Sequence, residues 1–431
     1  MRRIHLLGVV ACLALTATAC GGGDSGDGGN GGNGGNASAD PASVSGTVTY
    51  WDTSDATNEA PVFEELIAQF EEQYPNIDVE YVNVPFDQAQ NKFKTAAQSG
   101  DGAPDVIRAE VAWTPEFASL GYLAPLDGTP AMSNYEDYLA GPAATGVFDG
   151  VTYGVPQVTD TLALLYNREI FEQAGVEVPT TWEEMAQIAP TIKDKTGADA
   201  TYLNPTGYYS LPFIYGEGGD LLDVEGQKIT VNSPEAVAGW ETMKSLIDEG
   251  VSVRPDLAQG YTNMQAAFGA GDVAMVIEGP WGVGQITSGE AFGGSTENLG
   301  IAPMPGGSAG AGTPVGGHNY AAYAGSDALD ASYLFIEFMN SAESQTTLAT
   351  ELGLLPTRSS VYEADGVAEN QLIADFKAVL DGAVARPSIP EAGLLFTPLD
   401  VNVPEMIGGE DPQKSLDDVA ENYREFLTDW S

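Results

Sequence analysis

Apolar and polar residues alternate along Thr47-Val-Thr-Tyr-Trp51, and then the period changes: Phe63, Leu66, Ile67, Phe70 and Tyr74 recur three or four apart. Alternation describes a strand with one buried face, and a repeat near 3.6 describes a helix with one apolar stripe. Ile77, Val79 and Tyr81 return to alternation. A helix carrying Phe93, Ala96 and Ala97 follows, and Asp105-Val-Ile-Arg108 reads as a short buried strand. The order β-α-β-α-β predicts a mostly parallel sheet with helices on both faces, hence an α/β fold. Trp182, Met185, Ile188 and Ile192 mark another helix, Val237, Trp240, Met243 and Ile247 the next, and Ala274 to Ile277 a strand. Beyond Ala331 helices dominate, the last with Leu416, Val419, Tyr423 and Phe426 on one face. Trp182 and Trp240 stand on apolar helical faces and are expected in the core.

The start of the chain has a different grammar. Arg2, Arg3 and His5 precede an apolar run over 6–15 and then Ala17-Thr18-Ala19-Cys20. A cationic start, an apolar segment too short to span a bilayer and small residues before a cysteine describe an export signal. Cleavage before Cys20 leaves that residue at the mature N-terminus, where a bacterial lipoprotein carries its lipid, with Ala17 at a position usually held by leucine. Residues 21–43 are almost entirely Gly, Asn, Asp, Ser and Ala. Such a stretch buries too little apolar surface to fold and reaches roughly 25 Å as a flexible tether. The expectation is a signal peptide over 1–19, a lipidated Cys20 with its tether over 20–45, and a body held at the extracellular face of the cell membrane.

The body from about Gly46 is long for one hydrophobic core, and two domains are expected. It contains no cysteine, because Cys12 falls in the leader and Cys20 is the anchor, and His318 is its one histidine. Disulfides and clustered His or Cys metal sites are therefore not expected, and neither metal nor cofactor is assigned. The chain has 62 acidic and 16 basic residues, a net charge of −46. Nucleic acid would be repelled and is excluded as a partner. Gly306 to Gly310 spells GxSxG, but its flanks are Gly, Pro and Ala rather than the strand and helix that a nucleophile elbow requires.

Ligands of open α/β sheets collect outside the carboxyl ends of the strands. The residues just after the expected strands are Trp51-Asp52-Thr53, Arg108 to Trp113 with Glu110, Asp160, and Glu278-Gly-Pro-Trp281; Tyr208-Tyr209 lies in a Gly/Pro-rich stretch. Each group couples an aromatic ring or a carboxylate with a turn. Plainer roles stand beside these: Trp51 and Trp113 packing beneath a loop, Asp105 and Asp400 as caps or turn residues, Arg108 as a counter-ion to Glu110, and His318 shaping a turn beside Asn319. On chemistry alone, acids with aromatics also suit a cation–π cage for an amine, and paired carboxylates such as Glu110 and Glu278 suit a glycosidase.

Five stretches resemble one family: 49–93, 102–128, 153–167 (YGVPQVTDTLALLYN), 271–286 (GDVAMVIEGPWGVGQI) and 316–327 (GGHNYAAYAGSD). In order and over nearly the whole body, they are similar to the extracellular solute-binding proteins of carbohydrate ABC importers, in the maltose/maltodextrin-binding branch of actinobacteria. The resemblance implies a two-lobe, type II periplasmic-binding-protein-like fold, with lobe one over 46–156 and 316–378, lobe two over 159–312 and 382–431, and sugar held between them. It implies a monomeric, non-catalytic protein that delivers maltose or maltooligosaccharides to membrane permeases, with trehalose or another oligosaccharide as the alternative ligand. Carried over by position, Asp160 matches an acid that hydrogen-bonds sugar hydroxyls, Trp281 a stacking ring and Tyr208 an aromatic sugar contact. Phe396 falls where the branch commonly has a tryptophan, and Trp51, Asp52, Glu110 and Trp113 fall in cleft-facing loops of lobe one. The chemistry agrees: rings cover the C–H faces of a glucose unit while carboxylates accept from its hydroxyls.

Overall fold

The computed structural model describes residues 41–431, so the expected leader, Cys20 and most of the tether lie outside the described residues. Two five-stranded sheets organise the body. Their strands in chain order are β1 (Gly46–Asp52), β2 (Ile77–Asn83), β3 (Val106–Glu110), β4 (Val155–Thr161), β5 (Ala163–Asn167), β6 (Asp199–Tyr202), β7 (Ser252–Val253), β8 (Val273–Glu278), β9 (Leu299–Ala302) and β10 (Val315–Ala322). The first sheet runs β2-β1-β3-β10-β4 and the second β7-β6-β8-β5-β9.

The expectation of mostly parallel sheets needs correction. β1 pairs parallel with β2 and β3, but β10 pairs antiparallel with both β3 and β4. The second sheet repeats this, with β8 parallel to β6 and antiparallel to β5, which in turn pairs antiparallel with β9. The strands of reversed direction are the ones that reach a sheet directly from the other sheet, without the crossover helix that parallel pairing requires. Only Leu162 lies between β4 and β5.

Sheet one is covered on both faces by helices that alternate with its strands: α1 (Ala60–Gln73), α2 (Phe86–Ser99) and α3 (Trp113–Ser119). Successive residues of β1 serve opposite faces: Val48 and Tyr50 pack with Phe63, Phe70 and Phe335, while Trp51 packs with Phe93, Ile107 and Phe117. The second sheet is covered by α4 (Trp182–Thr196), α5 (Gly207–Gly216), α6 (Pro234–Asp248) and α7 (Gly260–Ala270). From the C-terminal part come α8 (Leu329–Met339), α9 (Gln371–Leu380), α10 (Phe396–Gly408) and α11 (Pro412–Phe426). α8 joins the core of sheet one; Ile373, Phe376 and Val379 of α9, with α10 and α11, join the core of sheet two.

The periodic segments fall where the pattern put them, and Trp182 and Trp240 are buried, Trp240 completely. Truncating a fully buried tryptophan removes its transfer free energy and leaves a cavity. Trp240→Ala is therefore expected to destabilise the fold by about 3–5 kcal/mol, measured by urea unfolding. A loss below about 1 kcal/mol would place the ring outside the core.

Candidate functional site

Three passes of chain lie side by side where the sheets meet. The Thr161 hydroxyl donates to the Pro314 carbonyl at 2.9 Å, and the Thr313 hydroxyl donates to the Leu162 carbonyl at 2.7 Å. Val384 N–H donates to the Thr313 carbonyl at 2.7 Å, and Val315 N–H donates to the Val384 carbonyl at 2.9 Å. This bundle fixes the register of β4 against β10, in which Gly316 faces Asp160. A Cβ at position 316 would stand 2.0 Å from Asp160 Oδ1 and 2.8 Å from Tyr208 Oη, so only glycine lets these two side chains converge.

Tyr208 sits in the first turn of α5. Its helix start is held by Asp400, whose Oδ1 accepts from Gly207 N–H at 2.8 Å, which is the capping role expected of that acid. The ring centroid of Tyr208 is 6.4 Å from that of Trp281 and 6.1 Å from that of Phe396. The Trp281 ring folds back over Gly279, where any Cβ would stand 2.0 Å from it. Beneath it, buried Glu278 accepts from the Tyr209 hydroxyl at 2.7 Å and from Gln265 at 3.2 Å. Burial pushes the Glu278 carboxyl up to about 7 against the pull of those hydrogen bonds.

Arg386 joins this aromatic group to the other sheet. Its guanidinium lies 5.6 Å from the Tyr208 ring centre and 5.4 Å from that of Phe396. Its Nε donates to the Val315 carbonyl at 2.8 Å, and its Nη2 pairs with the carboxylate of Glu110 at the end of β3. Burial pushes the Asp160 carboxyl up to about 7, Arg386 opposing this and Glu110 reinforcing it. The counter-ion of Glu110 is thus Arg386, not Arg108 as expected. Arg108 is drawn away: its Nε donates to Gln157 Oε1 at 2.8 Å and its charge faces Glu59 and Asp52.

The structure therefore brings Glu110, Asp160, Tyr208 and Phe396 around Arg386, with Trp281 beside Tyr208; Arg386 is a residue the sequence reading passed over. Its signal was a rare cation, one of 16 basic residues, ten positions before Phe396. The remaining candidates have other partners. Asp52 is buried, its oxygens taken by the hydroxyls of Tyr81, at 2.7 Å, and Ser54 and by the Ser54 N–H at 3.1 Å. Trp51 is 5% exposed with Lys92 Nζ 4.4 Å from its ring centre. Trp113 is equally buried and lies under Phe86, centroids 5.1 Å apart and 29° between planes. His318 is not in a turn: β10 runs through it, opposite Glu110, with an irregularity just after it. Asp105 accepts from Thr49 N–H at 2.8 Å, and exposed Ser308 donates to Glu217 at 2.6 Å. Several polar atoms near the crossing are shielded from solvent without a protein partner: Tyr208 Oη, Gln157 Nε2 and both ring nitrogens of His318.

Among the described residues, no helix is long and apolar enough to cross a membrane. Residues 65–375 match the family described as bacterial extracellular solute-binding protein. The GacH receptor of Streptomyces glaucescens, solved unliganded and with acarbose and an acarbose homologue, is 46% identical over 90% of this chain and 100% of its own, with a TM-score of 0.87. Maltose-bound MalE3 of T. maritima, 23% identical over 88% of this chain and 99% of its own, shares the fold with a TM-score of 0.80. A maltotriose-binding protein of Pyrococcus abyssi is 23% identical over 89% of this chain and 82% of its own. The fold is thus that of the two-lobe maltose-binding proteins, and these relatives are binding proteins.

The raised carboxyl of Asp160 gives a signed pH dependence. A carboxyl that holds its proton more tightly folded than unfolded contributes stability below its ordinary value near 4, and loses that contribution as pH rises to about 7. Asp160→Asn escapes the loss. In thermal melts of unliganded protein, the variant should gain on the unaltered chain between about pH 4 and pH 7; a difference that stays flat or reverses contradicts a costly buried carboxyl.

Proposed function

The chain belongs to the bacterial extracellular solute-binding proteins, and we propose that within that family it captures an α-linked glucose oligosaccharide, maltose or a maltooligosaccharide, for an ABC importer. The observation that carries this reading is the convergence of Tyr208, Trp281 and Phe396 with Asp160 and the Glu110–Arg386 pair at the crossing between the sheets. Rings of this kind cover the apolar faces of a pyranose. Asp160 and the unpartnered Tyr208 hydroxyl meet its hydroxyls. Hydrogen bonds to charged groups are worth about 1.5–3 kcal/mol each, so three with ring packing reach about −8 kcal/mol, or micromolar affinity.

Relatives that bind maltose, maltotriose and acarbose support a glucose-type ligand. Lobe one is assigned to 46–156 and 316–378, apart from α9, which packs on the core of sheet two, and lobe two to 159–312 and 382–431, with the three side-by-side passes as hinge and the ligand favouring the closed state by touching both lobes. Delivery is to membrane permeases, from a monomer anchored through lipid on Cys20 at the outer face of the membrane. No covalent chemistry is assigned: of the two carboxylates considered as a glycosidase pair, Glu110 is neutralised by Arg386 and Glu278 is taken up by Tyr209 and Gln265.

Calorimetric titration with maltose, maltotriose, trehalose and choline, alongside an assay for released glucose, separates the readings. Saturable binding of maltose or maltotriose with no glucose released is expected; a shift with choline alone, or steady glucose release, rejects the proposal. Trp281→Ala should weaken maltose binding by about 2 kcal/mol or more while leaving the fold intact, and an unchanged dissociation constant would move that ring out of the site. Cys20→Ala should free the protein from the membrane fraction. Retention at the unaltered level would contradict the lipid anchor.

A further inference from the structure

The halves built on sheets one and two touch at a second place, apart from the three strand passes that join them. On one side is the loop between β1 and α1, the helix that packs Phe63 and Phe70 into the core of sheet one. On the other is the short helix Val283–Thr287, which follows Trp281 and places Val283 and Ile286 in the core of sheet two. Asn58 Nδ2 donates to Gln285 Oε1 at 3.1 Å, between residues 227 positions apart. A Cβ at Gly284 would stand 3.8 Å from the Cβ of Asn58, so the loop of one half comes up to bare backbone of the other. Burial first, then Glu278, raise the Tyr261 phenol on α7, and Glu59 and Asp55 add to it from the sheet-one side.

Both sides of this contact are held in place. Asp55 Oδ1 accepts from the N–H groups of Thr57 at 2.9 Å and Asn58 at 2.8 Å, and from Asn58 Nδ2 at 3.1 Å, which aims the amide at Gln285. Asp55 N–H donates to Glu59 Oε2 at 2.9 Å, and buried Glu59 faces Arg108. On the sheet-two side, the Thr287 hydroxyl donates to the Val283 carbonyl at 2.8 Å, and a Cβ at Gly282 would stand 2.5 Å from Glu278 Cγ, so this turn packs on the acid beneath Trp281. Side chains already fixed lose little freedom when they meet.

The contact fits only one setting of the halves. A rotation about the strand passes parts Asn58 from Gly284 and Gln285 while leaving each core intact. A shift of about 1 Å ends the hydrogen bond. Its free energy therefore belongs to the closed arrangement alone and favours that arrangement. Because the same turn carries Trp281, closing over a ligand on that ring and making this contact are one movement.

We infer that Asn58, with Gly284 and Gln285, is a clasp that holds the two halves closed over the site and sets how slowly the ligand leaves, without touching the ligand. It rests on the sugar-binding reading given above only for the identity of what is enclosed. Asn58 and Gln285 are positioning residues: they act through the Trp281 turn.

Stopped-flow exchange of maltotriose on the unaltered protein, Asn58→Ala, Gln285→Ala and the double variant tests the clasp. Neither side chain is buried, so melting temperatures without ligand should stay level. Each single change should raise the dissociation rate about two- to tenfold with the association rate nearly unchanged. The double variant should add little to either, since both remove one shared bond. A further variant, Asn58→Cys with Gly284→Cys, places two Cβ atoms at the 3.8 Å spacing of a disulfide. Oxidised, it should stop maltotriose exchange until a reductant is added, and either cysteine alone should not. Unchanged dissociation in the alanine variants, additive losses, or a cysteine pair that stays reduced while both thiols react with an alkylating probe would each overturn the clasp. The cross-link needs no sugar, so an unaltered protein that binds neither maltose nor maltotriose would reject the sugar reading while the cross-link still decides the clasp.

Discussion

With a single residue, Leu162, between a strand of one sheet and a strand of the other, no loop exists to absorb a change of register. Everything at the crossing is set by that constraint. Because β4 and β5 form almost one extended segment, the return pass through Thr313 to Val315 must hydrogen-bond beside it, and the third pass at Val384 beside that. The antiparallel pairings inside both sheets follow from the same continuity. So does the pairing of Gly316 with Asp160, and with it the small volume into which Asp160 and Tyr208 both point.

Charge at this crossing is organised with few cations. In a chain with 62 acidic residues and 16 basic ones, Arg108 and Arg386 are buried among carboxylates at the carboxyl ends of sheet one. A buried carboxylate without a partner would be protonated or would destabilise the fold; a guanidinium offers a planar fork that satisfies one directly. Arg386 neutralises Glu110 and partly offsets the burial of Asp160, while Arg108 faces Glu59 and Asp52. Asp52 is satisfied further by the Tyr81 and Ser54 hydroxyls. Arg386 thus contacts sheet one, through Glu110, and the rings of Tyr208 and Phe396, and bridges the two sides of the crossing.

Much of the fold was legible in the pattern of apolar positions. Each strand and helix marked by a period of 2 or 3.6 is present, because local burial on one face depends only on which residues recur at that spacing. The class of the fold follows from the order of elements, while the expected leader over 1–19, Cys20 and the glycine-rich tether rest on local composition alone and lie outside the described residues. The rule that ligands gather past the carboxyl ends of strands singled out Trp51, Asp52, Glu110, Trp113, Asp160 and Trp281, the Gly/Pro-rich stretch added Tyr208, and resemblance added Phe396.

What the sequence left open depended on partners distant along the chain. Arg386 is 276 positions from Glu110, and nothing local to either residue indicates the pair; Arg108, two residues away on the same strand, was the nearer and wrong choice. His318 reads as a turn residue beside Asn319, yet its strand neighbours, separated from it by more than a hundred positions, make it part of β10. Phe86 at the head of a helix looks like any apolar first-turn residue until Trp113 is placed beneath it and His318 at its edge. Periodicity fixes which face of an element is buried, whereas the direction of the middle strands, the ion pair across the crossing and the grouping of rings are set by contacts between segments far apart in sequence, and only the folded chain brings those together.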